Sequence, residues 1–281
     1  MISLAGPMPS PRRLASVLRN RRIPLRTRRD LLLAEARRRV RPRAAYEVGY
    51  GPGSVFLSHD DYAIDWESLK FVAADHAYPA DHAGAVVLDL GAHKGYYGAY
   101  ALAGGARTVV SFEPEQANVE YLERAAGAYR ARGADWRVRP TAVGAERGEA
   151  ELHVMGASWG HALHPPEEWA EYEVGVERVP VEAMSDVLAE AADLAQEGAR
   201  LIVKLNVEGE ECGIVLGTAP EAWAAVDEVF VEVHPWASCT APELAAHLAP
   251  AGLRQTATPI EPVLRLRREE APRSGPRSAP T

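Results

Sequence analysis

The chain has 281 residues, of which 47% are hydrophobic and 25% are charged, and its formal net charge is −8. This length suits one large domain or two small ones with an ample core, and every apolar run is far shorter than the ~20 residues of a membrane span. The acidic balance argues against nucleic acid as the main partner. Two cysteines, Cys212 and Cys239, do not make a disulfide framework, so we expect a reducing, cytoplasmic compartment.

The charge is unevenly distributed, because the N-terminal arm is strongly basic. The stretch Arg12–Arg43 contains 13 arginines, with Asp30 and Glu35 as its only acids, so this arm carries about +11 and the rest of the chain about −19. The pattern predicts a helix over Arg28–Val40. We expect it to pack on the domain or on a second subunit, which allows a homo-oligomer. The alternative is a basic face for an acidic partner or anionic lipid. We assign residues 1–50 to this basic helical arm.

A strand, a glycine-rich turn, a helix and a second strand follow one another from residue 86. The first strand is the apolar run Val86–Leu90. The second strand, Thr108–Phe112, is followed by Glu113, which lies 22 residues after Gly91. This order is typical of a nucleoside-binding βαβ unit, in which the acid accepts hydrogen bonds from the two ribose hydroxyls.

The spacing of the glycines selects among nucleoside ligands. A dinucleotide fingerprint has its second glycine two residues after the first, where the backbone approaches a pyrophosphate. His93 occupies that position here, and the glycines are Gly91, Gly95 and Gly98. A nucleoside without phosphates fits better, and S-adenosylmethionine is the common one. The alternative is that these glycines serve only tight packing.

Strands and helices alternate beyond this unit, which predicts a mostly parallel sheet. Helices are predicted over 117–132 and 184–197, and strands over 136–139, 149–155 and 178–181. The segment between the last two strands is irregular and rich in Trp, His and Pro, so it suits a cover over the substrate. Its histidines have no companion ligand at a convincing spacing, and we predict no metal site.

Two later strands end in polar side chains. The run that ends at Leu205 carries Lys204 and continues into Asn206 and Glu208, and a further apolar run is followed by His234. This kind of sheet opens onto its ligand cleft at the carboxyl ends of its strands. We therefore expect these side chains to lie near the ligand.

The C-terminal part of the chain completes the predicted domain. Two closing strands, over 253–258 and 263–267, are predicted to form an antiparallel hairpin at the edge of the sheet. We therefore assign residues 51–268 to a single domain. Residues 269–281 are rich in Pro, Arg and Ser, and we expect this tail to be disordered.

Five motifs in sequence resemble the FkbM family of S-adenosylmethionine-dependent methyltransferases. They are Val87–Gly95, Ser111–Pro114, Thr141–Gly144, Val203–Glu211 and Val231–His234. The fourth is the most specific to the family, whereas the first is shared with many methyltransferases. The resemblance implies an α/β, Rossmann-like, seven-stranded class I methyltransferase fold with a mostly parallel sheet. It also implies methyl transfer to an oxygen, often on a sugar or natural product.

The same resemblance implies which residues form the site. Those that would hold the cofactor are Asp89, Gly91, Ala92, His93 and Gly95 in the turn, Glu113 and Pro114 at the ribose, and Ala142 and Val143 beside the adenine. Those that would border the acceptor are Lys204, Asn206, Glu208 and His234. The family usually has aspartate where Asn206 stands, so a role of that acid as base or metal ligand would be absent here.

Methyl transfer to an aliphatic hydroxyl requires a base, because the hydroxyl must lose its proton as the new bond forms. His234 is our first choice, since an imidazole with an ordinary pKa of about 6.5 is a competent base at neutral pH. Glu208 is the second choice. The alternatives are a backbone carbonyl partner for His234, and a helix-cap or lysine-pairing role for Glu208.

The predicted function is metal-independent methyl transfer from S-adenosylmethionine to a hydroxyl of a small molecule, sugar or natural product. Two other classes remain open from the sequence. One is a non-catalytic, methyltransferase-like binding module that acts through its arginine-rich arm. The other is a nicotinamide-dependent oxidoreductase, which the glycine spacing disfavours.

Overall fold

The computed structural model describes most of the chain, namely residues 15, 18–40, 45–195, 198–257 and 260–268. The tail over 269–281, predicted to be disordered, lies outside these residues. Over the ranges just given, no helix has the length and apolar character needed to cross a membrane.

The N-terminal part consists of a helix, a hairpin and a second helix. These are α1 (Leu25–Val40), β1 (Ala45–Tyr50), β2 (Gly53–Ser58) and α2 (Tyr62–Ala73). Helix α1 lies against β1, where the Thr27 hydroxyl donates to the Gly49 carbonyl at 2.6 Å and Asp30 accepts from the Gly49 N–H at 3.0 Å. The arm helix therefore packs on its own chain, and the hairpin spans the expected boundary at residue 50.

Ten further strands build two sheets. They are β3 (Val86–Leu90), β4 (Thr108–Phe112), β5 (Asp135–Arg139), β6 (Ala142–Gly144), β7 (Gly148–Met155), β8 (Glu173–Ala183), β9 (Leu201–Leu205), β10 (Glu228–Glu232), β11 (Leu253–Thr256) and β12 (Val263–Arg268). The central sheet has seven strands in the order β11-β12-β10-β9-β3-β4-β5, and β12 is antiparallel to both of its neighbours. This confirms the predicted seven-stranded, mostly parallel sheet with an antiparallel hairpin at one edge.

Helices cover both faces of the central sheet. The remaining ones are α3 (Tyr96–Ala103), α4 (Gln116–Arg130), α5 (Met184–Leu194), α6 (Glu211–Gly217) and α7 (Ala241–Leu248), with 3-10 turns at Glu167–Tyr172, Pro220–Ala225 and Ala249–Ala251. Helices α1 to α4 share one buried cluster, and α5 to α7 share another. Along β3, Val87 lies in the first cluster and Leu88 in the second, as the alternation of a strand requires.

The strand order reverses at β3: the chain continues from β3 to β4 and β5 on one side, and later returns to place β9 on the other side. A cleft opens at such a reversal, outside the carboxyl ends of the strands. The small sheet, in the order β6-β8-β7, stands beside this cleft. Strand β8 is much longer than the predicted 178–181. Its first half is exposed and has no apolar run that would have predicted it, and it is held in place by pairing with β7.

The two cysteines, which were expected not to make a disulfide framework, are bonded to each other. The disulfide between Cys212 and Cys239 joins α6 to the loop that follows β10. The two residues lie 27 positions apart, and their separation in sequence gave no sign of the pairing. The argument for a reducing compartment from the cysteines therefore does not hold.

A buried ion pair connects α2 and the hairpin to the turn after β3. The Lys94 ammonium donates to Asp65 at 2.8 Å and to the Ser58 hydroxyl at 3.1 Å, and Asp61 lies 3.2 Å away. The Lys94 side chain is 2% exposed and that of Asp65 is 0% exposed. Burial raises the pKa of Asp65, and the charge of Lys94 opposes this rise.

We expect Lys94→Met to lower the free energy of unfolding by about 3–5 kcal/mol, because it leaves the Asp65 carboxylate buried without its cation. Urea denaturation measures the change. Lys94→Met combined with Asp65→Asn should regain part of the loss. Lys70→Met is the matched control, since Lys70 pairs with Asp75 near the surface and such pairs contribute about 1 kcal/mol or less. Equal losses in Lys94→Met and Lys70→Met would contradict the assignment.

Candidate functional site

The cleft lies at the carboxyl ends of β3, β4 and β9 and encloses about 1030 Å³ of space that is continuous with solvent. Its walls are the turn after β3, the tips of β4 and β6, the turn after β9, and the segment 158–163 of the loop that joins β7 to β8. We call residues 156–172 the cover loop. The cleft thus brings together most of the residues that the sequence singled out.

The turn after β3 is shaped by close backbone contacts. Its Gly91 and Gly95 have φ angles of +70° and +89°, and His93 has a φ of +52°. A Cβ at Gly91 would lie 1.7 Å from the Asn206 carbonyl oxygen. The N–H groups of Gly91 and Ala92 both donate to the Phe112 carbonyl, at 3.0 and 2.9 Å. Glycine at 91 is therefore required by the packing of this turn against the end of β9.

The Lys204 side chain, from β9, binds the end of β3 and the start of this turn. Its ammonium donates to Asp89 at 3.0 Å, to the Leu90 carbonyl at 3.2 Å and to the Gly91 carbonyl at 2.7 Å. Its carboxylate partner is Asp89, so the lysine-pairing alternative for Glu208 does not hold. Because all three N–H groups are used, Lys204 has none left for an acceptor, and Asp89 holds the lysine rather than a ligand.

Glu113 occupies the position predicted for the acid at the second strand. Its carboxylate accepts the N–H of His93 at 2.7 Å and the N–H of Glu115 at 3.1 Å. Burial raises the pKa of Glu113 to about 7, although these two hydrogen bonds favour the charged form. Pro114, Ala142 and Val143 line the same side of the cleft.

Glu208 lies just after β9, where its φ of +51° and the φ of +108° at Gly209 mark a sharp turn. Its side chain lines the cleft. Behind it, His234 stands between two acids: Nε2 is 3.4 Å from Glu208, and Nδ1 contacts the Glu211 carboxylate. Among the described residues, neither ring nitrogen is bonded to a backbone carbonyl, so the structure does not support the alternative of a carbonyl partner for His234.

The two acids decide the charge of this histidine. Burial lowers the pKa of His234, but Glu208 and Glu211 outweigh it and raise the pKa to about 10. Burial raises the pKa of Glu208, and His234 opposes that rise. His234 also is not among the residues that line the cleft. A histidine that already carries its proton at neutral pH cannot accept another, so the geometry reverses our order of preference in favour of Glu208.

Asn206 presents an unpaired oxygen at the same edge. Its N–H donates to the Leu90 carbonyl at 3.1 Å, whereas its Oδ1 is buried and has no hydrogen-bond partner in the described part of the chain. A buried polar atom normally has a partner. This amide is therefore suited to a ligand that donates a hydrogen bond.

The cover loop, which the sequence predicted to cover the substrate, also supplies side chains that were not among the predicted site residues. Ser158 lies 3.0 Å from Nε2 of His93, and Trp159 lines the cleft. His161 also lines it, and its Nδ1 accepts the Met155 N–H at 3.0 Å. Burial lowers the pKa of His161, so its neutral ring carries the proton on Nε2. Among the described residues, no three His, Cys, Asp or Glu side chains form a group that can hold a metal.

The strand order, the glycine turn and the acid that follows β4 define a Rossmann-like methyltransferase fold of class I. The family model of the methyltransferase FkbM domain matches residues 89–249, more than half of the chain. The chain therefore belongs to the FkbM methyltransferase family, which confirms the resemblance. No curated protein matches the chain.

Several solved methyltransferase structures are similar to this chain at low sequence identity. Methyltransferase FkbM from Methylobacillus flagellatus KT has a TM-score of 0.43 and 16% identity, over 68% of this chain and 45% of that one. Magnesium protoporphyrin IX methyltransferase from Synechocystis PCC 6803 with bound SAM has a TM-score of 0.41 and 12% identity, over 75% and 83%. A SAM-dependent methyltransferase from Agrobacterium tumefaciens has a TM-score of 0.38 and 9% identity, over 81% and 70%. The chain thus spans less than half of the Methylobacillus protein.

We expect Gly91→Ala to lower the free energy of unfolding by about 2 kcal/mol or more, because the new methyl group meets the Asn206 carbonyl and the φ angle is left-handed. Gly127→Ala is the control. Gly127 lies inside α4, and a Cβ there has no atom within 4 Å, so alanine should stabilise by about 0.5–1 kcal/mol. Urea denaturation of both variants checks this, and a stable Gly91→Ala protein would contradict it.

Proposed function

We propose that this protein is an S-adenosylmethionine-dependent O-methyltransferase acting on a small-molecule hydroxyl. The observation that carries the proposal is the placement of Glu113 and Glu208 on the same cleft, one at the tip of β4 and the other after β9. The first suits a nucleoside ribose, and the second suits a hydroxyl that loses a proton. Between them lies the turn of Gly91 and Gly95.

The residues present fit this cofactor. Glu113 would accept hydrogen bonds from the ribose hydroxyls, and Ala142 and Val143 offer an apolar surface to the adenine. The unpaired Oδ1 of Asn206 would accept a hydrogen bond from the amino group of the methionine part. When bound, the cofactor supplies a methyl group already activated by its sulfonium. The chain's own residues then have to align the acceptor oxygen and take its proton.

The cleft favours S-adenosylmethionine over a nicotinamide dinucleotide. Lys204 is the single lysine or arginine among the described residues that line the cleft. Its three N–H groups are already bonded to Asp89 and to two backbone carbonyls. A pyrophosphate would therefore meet no available side-chain cation, and His93 stands where the second glycine of a dinucleotide turn would be.

Glu208 is the proposed general base, and His234 is its positioning residue. Glu211 contacts the other ring nitrogen of His234. The charged imidazole favours the ionised, basic form of Glu208, whereas burial favours the protonated acid. The presence of asparagine at position 206 then does not remove the base, because Glu208 has that role. This geometry argues against the non-catalytic alternative.

Calorimetry with S-adenosylhomocysteine tests the cofactor site. We expect the protein to bind it and not NAD, and we expect affinity to rise with pH through about 7, the pKa of Glu113, because the ionised carboxylate is the better acceptor. Glu113→Gln should lose about 1–3 kcal/mol of binding at pH 8 and most of the pH dependence. Glu120→Gln, on the exposed side of α4, should bind normally. Unchanged affinity in a folded Glu113→Gln protein would exclude the assignment.

A screen with labelled methyl groups identifies an acceptor, and the pH dependence of turnover then tests the base. Glu208→Gln should lower turnover by about 10²–10⁴. The wild-type rate should fall as pH drops through the pKa of Glu208. His234→Gln should move this fall to higher pH, because Glu208 loses the cation that favours its charged form. His164→Gln, at an exposed histidine beside Glu210, is the control. If His234→Gln instead removed the pH dependence, His234 would be the base.

A further inference from the structure

A row of three tryptophans extends from the positioning histidine to the mouth of the cleft. Trp236 lies against His234 with ring centroids 4.7 Å apart, Trp169 is 4.6 Å from Trp236, and Trp159 is 5.9 Å from Trp169. Trp159 lines the cleft and is nevertheless 47% exposed. A large aromatic face at the mouth of a cleft is available for a ligand.

This side of the cleft carries acids and no basic side chain of lysine or arginine. The segments 156–173, 206–211 and 233–240 lie on or beside this side, and the lining residues among them fall within 158–163 and 206–210. Together they contain no Lys or Arg, and their seven acids are Glu167, Glu168, Glu171, Glu173, Glu208, Glu210 and Glu211. Glu208 and Glu210 line the cleft itself, while Glu167, Glu168 and Glu171 lie exposed around Trp169 in the cover loop. These seven acids outnumber the charged imidazole of His234 in the same segments, so the acceptor side is negative.

The aromatic face and the negative charge favour the same kind of ligand. The face of a tryptophan attracts cations, most strongly where water is partly excluded. Acids around a cleft raise the local concentration of cations and repel anions. Of these acids, a phosphate, a carboxylate or a nucleic acid in the cleft would meet Glu208 and Glu210, and Lys204, the single lysine or arginine among the described lining residues, has no N–H left to pair with it.

We propose that the methyl acceptor carries a positive charge, as an amine or ammonium group, and stacks on Trp159. This inference rests on the proposed methyltransferase function and names the chemical class of its acceptor. The hydroxyl to be methylated lies toward Glu208, and the charged group lies toward the acids of the cover loop.

Three phenols that differ mainly in charge provide the test: tyramine is a cation, 4-hydroxyphenylethanol is neutral, and 4-hydroxyphenylacetate is an anion. Each is titrated into the full chain saturated with S-adenosylhomocysteine, and binding is followed by calorimetry and by tryptophan fluorescence. We expect tyramine to bind about tenfold more tightly than the anion, with the neutral probe between them, and we expect added salt to reduce this difference. An equal or reversed order, or no binding of tyramine, overturns the proposal.

Two variants assign the preference to the acceptor side. The triple change Glu167→Gln, Glu168→Gln and Glu171→Gln should bring the affinities of the three probes close together. The matched control, Glu120→Gln, Glu151→Gln and Glu221→Gln, removes three exposed acids that do not line the cleft and should leave the order unchanged. Equal effects of the two sets overturn the proposal. Failure to bind S-adenosylhomocysteine would instead reject the proposed function, so the two failures are distinguishable.

Discussion

The ammonium group of Lys204 is the contact on which the geometry of the cleft depends. Two backbone carbonyl groups at the end of β3, those of Leu90 and Gly91, face the neighbouring strand β9. A lysine from β9 satisfies both and balances the charge of Asp89. The backbone segments after β3 and β9 then approach so closely that residue 91 has no room for a side chain. The shape of the turn that lines the cleft is a consequence of this packing.

The acid-histidine-acid arrangement sets the charge of the buried Glu208 carboxylate, on which the proposed proton transfer depends. Glu208 and Glu211 place two negative charges around His234, so the imidazole stays protonated. Burial of Glu208 works against its charge, and the imidazolium works for it. These opposing effects bring the acid toward the pH range in which a base is effective. Without Glu208 and Glu211, burial would lower the pKa of His234, so the two acids together account for its charge.

The sequence predicted the central sheet and most of the cleft, because both depend on short-range patterns. Apolar runs mark β3, β4 and β9, and the turn with Gly91 and the acid Glu113 follow them at spacings that the fold imposes. The roles of Lys204 and His234 could not be predicted in the same way. Each depends on a partner brought near by folding: Asp89 lies 115 residues from Lys204, and Glu211 lies 23 residues from His234.

The basic arm is part of the same structural unit as the cleft. Helix α1 lies on β1 through its contacts with Gly49. The hairpin continues to Ser58, which donates to Asp65 and accepts from Lys94. Lys94 in turn belongs to the glycine turn and also contacts Ser158 of the cover loop at 3.3 Å. Since a lysine this deeply buried is held in place by its acidic partners, the hairpin that carries the arm also fixes one side of the cleft.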